Sequence, residues 1–154
     1  MRRLRKFVDL SWPDRRLLLA AMLVLGSVTL GLRLLPLLTL QRLLLRLANW
    51  RCGFRIAQRP AAQRIAWAIR TAGYALPHAT CLPQALAAHF LLIRYGYPAE
   101  VQIGAARNKA GIFEAHAWVT GESGIIFGGL ADLARFVPFS VLGGDGSLRS
   151  DRLH

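Results

Sequence analysis

Two hydrophobic periods follow one another along the chain, the first helical and the second alternating. Ser11-Trp12-Pro13-Asp14 reads as a helix start, with Ser11 as N-cap and an acidic residue three positions on. Residues 17–32 then run apolar without a charge until Arg33, and Leu35-Pro36 breaks the run. Residues 37–47 predict a short leucine-rich helix whose polar side is Gln41, Arg42 and Arg46, and residues 49–53 a loop. Pro60 opens a third helix, in which Ile65, Ala68, Ile69 and Ala72 form one stripe, Arg64 and Arg70 stay solvated, and Gly73 is the stop.

The next helix carries the first candidate for chemistry. Leu82, Ala85, Leu86, Phe90, Leu92 and Ile93 give a broad apolar face, Gly96 supplies a left-handed stop and Pro98 forbids continuation. Cys81 therefore stands in the first turn, where Pro83, lacking an N–H, is tolerated. The positive end of a helix favours a thiolate, and its N–H groups can hold the oxyanion formed when a carbonyl is attacked.

After Pro98 the period becomes two. Val101, Ile103 and Ala105 alternate with Gln102, Gly104 and Ala106, and Glu114, His116, Trp118 and Thr120 alternate with Ala115, Ala117 and Val119. Residues 121–124 form a turn and residues 125–127 a third strand; 132–139 read as a short helix or turn. His116 shares a face with Trp118, while the small apolar face opposite suits packing on a helix. A cysteine at a helix start followed by a histidine on an antiparallel sheet is the order that a cysteine–histidine acyl-transfer enzyme requires. Gln84, one turn after the cysteine, is a candidate amide donor, or else a surface glutamine.

Cys81-Leu82-Pro83, Gly96-Tyr97-Pro98-Ala99, Ile103-Gly104, Phe113 and above all Ala115-His116-Ala117-Trp118-Val119 resemble the lasso-peptide biosynthesis B protein. Trp12-Pro13-Asp14-Arg15-Arg16-Leu17-Leu18-Leu19 and Arg33-Leu34-Leu35-Pro36 resemble the same family, so the likeness spans most of the chain. It implies an α+β fold, with N-terminal leucine-rich helices (residues 1–75) ahead of a papain-like or transglutaminase-like core (76–142), in which the cysteine-bearing helix packs on a small antiparallel sheet. Residues 143–154, beginning Gly143-Gly144-Asp145-Gly146-Ser147, then read as a mobile tail. The activity implied is that of a leader peptidase, with Cys81 as nucleophile and His116 as base; by position, Trp118 on the histidine's strand face and Gln84 one turn after the cysteine are the substrate-binding candidates. A precursor peptide, a separate PqqD-like leader-binding protein and an asparagine-synthetase-like cyclase are the implied partners, since residues 1–70 read as leucine-rich helices with nothing left for a leader-binding module.

One position departs from the family. Its third catalytic residue, an acid on the strand after the histidine, falls on Gly128 when counted without gaps from His116. Asp132, Glu122 and Glu114 are the carboxylates that can substitute, Asp132 completing a Cys81–His116–Asp132 triad; a backbone carbonyl or a water also can, which leaves a Cys81–His116 dyad. Without such a partner the chain can instead be a non-catalytic scaffold that binds peptide.

Composition narrows the setting. Hydrophobic residues make up 54% and the formal net charge is +12. Apolar surface meeting a partner, or a peripheral membrane contact, is therefore expected. Nucleic acid is the weakest match, because the arginines are scattered among leucines and no recognition motif accompanies them. A disulfide between Cys52 and Cys81 would consume the nucleophile, so both read as reduced and the compartment as cytoplasmic. His78 and His89 read as structural or surface residues; no histidine pair has metal-ligand spacing, and no cofactor is expected.

Overall fold

A computed structural model of the chain describes residues 11–50, 59–76, 79–108, 110–142 and 148–149. Four helices, α1 (Trp12–Leu34), α2 (Leu37–Asn49), α3 (Ala62–Ala75) and α4 (Cys81–Arg94), precede β1 (Ala99–Arg107), β2 (Phe113–Gly121), β3 (Gly124–Phe127), β4 (Val137–Leu142) and β5 (Leu148–Arg149). The strands make one antiparallel sheet in the order β3-β2-β1-β4-β5. The fold is α+β, with the cysteine-bearing helix packed on the sheet.

Helix α4 is the centre. Ala85, Leu86, Ala87, Ala88, Leu91 and Leu92 are buried around its circumference, as in a helix enclosed by its own protein, and the alanines let neighbours approach closely. All three other helices and both β1 and β2 pack against it. Helix α1 contributes Leu17, Leu18, Ala21, Leu25 and Val28, one face at helical spacing. A single buried cluster runs from these residues to Val101, Ala117, Val119 and Phe127 of the sheet. At the far end α4 stops as its sequence predicts: Gly96 has φ +78°, and the N–H groups of Gly96 and Tyr97 bond the carbonyls of Ile93 and Leu92.

Three expectations about boundaries change. Helix α3 continues past Gly73 to Ala75, because glycine lowers helix propensity without forbidding the conformation. Residues 132–139 are not a helix or turn throughout: a 3-10 turn at Leu133–Arg135 leads into β4. Pro138 argues against an internal strand, yet it lies where the β1–β4 register shifts between Ile103 and Gly104, an irregularity at which a missing N–H is tolerated. Within the expected mobile tail, Leu148–Arg149 pairs with β4. Residues 1–6, Cys52, His78 and residues 143–147 lie outside the described residues.

Candidate active site

Thr80, in extended conformation, is the N-cap of α4, and Cys81 is its first residue. Gln84 N–H is taken by the Thr80 carbonyl at 3.3 Å, and Pro83 has no N–H. The N–H groups of Cys81 and Leu82 thus head the helix. The thiol is partly exposed. Gln84 donates from Nε2 to the Ala79 carbonyl at 2.6 Å, tying the helix's first turn to the chain just before the cysteine.

The sheet supplies the histidine. Val101 pairs with Val119 and Ile103 with Ala117, and these residues belong to the core shared with α4. Alternation sends His116 and Trp118 to the other face. Strand β3 pairs only as far as Phe127 with Val119, so beside His116 the edge of β2 meets the turning backbone of Gly128 and Gly129 instead of a strand. There the His116 Nε2 lies 2.7 Å from the Gly128 carbonyl oxygen. A carbonyl only accepts, so Nε2 carries a proton, and in the neutral ring Nδ1 is left with the lone pair. The imidazole ring is also held by its neighbours, stacked on Trp118 (centroids 6.1 Å apart, planes 16°) and tilted against Phe136 at 5.5 Å. Gly104 makes room for this arrangement, since a Cβ there would sit 2.8 Å from the Trp118 ring.

Cys81 and His116 meet in one cleft of about 350 Å³, walled by Thr80, Gln84, Phe127 and Gly128, with Arg70 of α3 on its rim. A thiol at the positive end of a helix, an imidazole and a carbonyl that orients it are an arrangement that can support thiol acyl transfer.

A family model described as the transglutaminase-like superfamily matches residues 22–141. The chain belongs to the transglutaminase-like superfamily. No curated protein and no solved structure matches it. The transglutaminase-like match begins inside α1, so it takes in the helical layer as well as the sheet. It supports an enzyme of cysteine-protease type at the level of the fold.

Within this transglutaminase-like site the predicted residues fall differently. Cys81, His116 and Gln84 come together in the cleft. Asp132 does not join them: its carboxylate accepts from Arg135 Nε at 2.6 Å, and the imidazole nitrogen it was to hold is occupied by Gly128. Glu114 is likewise committed, to Arg135 at 2.6 Å and to Asn108 at 3.4 Å. Trp118 is only 4% exposed and contributes to the histidine's support, not to the cleft wall, because Phe136 covers the face on which the alternation places it. A backbone carbonyl was among the expected partners of the histidine, though the sequence did not say that it would be Gly128's own; Arg70 was not anticipated at the cleft. Glycine has no side chain to signal a role for its carbonyl, and Arg70 reaches the cleft from another helix.

Proposed function

We propose that this chain is a cysteine peptidase that removes the leader from a ribosomally made precursor peptide during lasso-peptide maturation. The observation that carries the reading is the bond from His116 Nε2–H to the Gly128 carbonyl, made in the cleft that also holds Cys81. It supplies the orientation that a triad's acid normally gives, at the position where the family's acid is missing.

In this reading His116 Nδ1 takes the thiol proton and the Cys81 sulfur attacks the scissile carbonyl, forming the Sγ–C bond. The N–H groups that head α4 face the resulting oxyanion. His116 returns its proton to the leaving amine as the C–N bond breaks, then takes a proton from water, which hydrolyses the thioester. The resemblance of Ala115-His116-Ala117-Trp118-Val119 and Cys81-Leu82-Pro83 to the B proteins supports the substrate class, and with it a PqqD-like leader-binding protein and an asparagine-synthetase-like cyclase as partners; the reading of Cys52 and Cys81 as reduced supports a cytoplasmic setting.

The test is to incubate the chain with precursor and leader-binding protein and to follow free leader by mass. Cys81→Ala and His116→Ala each lower cleavage by roughly a thousandfold or more, with secondary structure and melting temperature kept. Wild-type-like cleavage by either variant rejects the peptidase; if maturation in the full system also survives Cys81→Ala, the chain is a peptide-binding scaffold.

A further inference from the structure

Helix α1 is the one helix among the described residues that is long and apolar enough to cross a membrane. Its packing decides against a span. Leu17, Leu18, Ala21, Leu25 and Val28 are in the core with α3 and α4, and crossing a bilayer would strip them from it. The opposite side of the same helix is apolar too. Trp12 (68% exposed), Leu19, Leu23 (73%), Leu30 and Leu34 (72%) recur at steps of seven and four residues, which places them on one line along the helix. That line is about 33 Å long at 1.5 Å per residue. Helix α2 repeats the pattern at shorter length, exposing Leu43 and Leu47, followed by the exposed Trp50 at its C-cap, beside the exposed Arg42 and Arg46.

Charge identifies the partner. From Trp12 to Ala99 the sequence contains one acidic residue, Asp14, and Arg64 pairs with it. Arginines stand at both ends of the leucine line, Arg16 near its start and Arg33 near its end, both exposed, and none interrupts its middle. A second copy of the chain would bring like charges together. A helix with apolar residues along one line, tryptophan at an end and arginines around it suits the boundary between head groups and acyl chains, and the lack of an unpaired carboxylate over residues 12–99 suits anionic lipid.

We propose that α1 lies flat on an anionic phospholipid surface, its Trp12–Leu19–Leu23–Leu30–Leu34 line inserted and the flanking arginines on the head groups, holding the peptidase fold at a membrane without spanning it. The probe is flotation of the full chain with vesicles of phosphatidylcholine alone or mixed with phosphatidylglycerol, at low and high salt. The chain floats with the anionic vesicles, less so at high salt, and stays behind with the neutral ones. Leu23→Asp/Leu30→Asp lowers the bound fraction at least about tenfold, since each leucine's insertion is lost, while its melting temperature and Cys81 alkylation rate stay at wild-type values. Four results would overturn the proposal: no flotation with either vesicle, equal flotation with both, resistance to carbonate extraction, or unchanged flotation of the double variant when the substitutions instead split a dimer or release the leader-binding protein.

Discussion

The carbonyl of Gly128 accepts the Nε2 proton of His116 at 2.7 Å, which makes a main-chain atom the orienting partner of the candidate base. It stands at the position where the resemblance places a carboxylate, and it bears on a tempting repair. Gly128 has φ +77°, and a Cβ there would lie 3.0 Å from the Ala117 oxygen and 3.1 Å from Trp118. Gly128→Asp therefore does not restore a triad. It costs about 1–2 kcal/mol for the left-handed backbone alone, and it displaces the carbonyl from the imidazole. The expected outcome is a lower melting temperature together with slower leader cleavage; faster cleavage at unchanged stability would show that the side chain is accommodated and prefers the acid.

Asp132→Asn and Glu114→Gln test the same point from the other side. Both carboxylates bind Arg135 at the surface, so removing either charge leaves the imidazole's bond untouched. Cleavage rates change by less than about threefold, as for surface substitutions away from the reacting groups. A loss of a hundredfold in Asp132→Asn would instead mean that Asp132 leaves Arg135 for His116 in the working enzyme.

Much of this site is legible from local pattern. The first-turn position of Cys81 follows from Pro83, and the face of His116 follows from alternation, because both depend on residues within a few positions. What escapes reading comes from elsewhere in the chain. Trp118 shares the histidine's face as expected, but its burial depends on Phe136 and on the missing side chain of Gly104. Asp132 lies three residues before Arg135, a spacing that permits their pairing, while nothing near Asp132 reports that Gly128 has already taken the imidazole nitrogen. Strand β4 was hidden by Pro138, whose cost is met by an irregularity in the pairing with β1.

Gln84 links the helix start to the chain before it, and Gly73 of α3 faces its amide closely: a Cβ at Gly73 would come within 2.8 Å of it. Gln84→Ala releases the Ala79 carbonyl and loosens the segment that carries Cys81. Gly73→Ala pushes the same amide aside while leaving it in the protein. Both variants slow cleavage, by about tenfold to a hundredfold if the sulfur shifts by as much as an ångström. If Gln84→Ala is slow and Gly73→Ala is not, the amide has room to move and its contact with Ala79 survives; wild-type rates in both would remove Gln84 from the positioning of the thiol.

His89 is buried in α4 with Nε2 3.0 Å from the carbonyl of Ala99, where β1 begins. Burial is the larger influence and pushes its pKa below the ordinary imidazole value of 6.5, although the bond to Ala99 works the other way. The folded protein therefore holds this ring neutral at pH values where the unfolded chain binds a proton. The stability it preserves is fully present above about pH 6.5 and is lost as pH falls from there through the depressed folded value. Melting temperature should accordingly fall on acidification below pH 6.5, before the carboxylates titrate. His89→Gln, whose amide can still donate to Ala99, should start from a lower melting temperature and fall less over that range, with His116 unchanged in both proteins. Parallel declines would show that the buried imidazole is not the acid-sensitive link between the cysteine helix and the sheet.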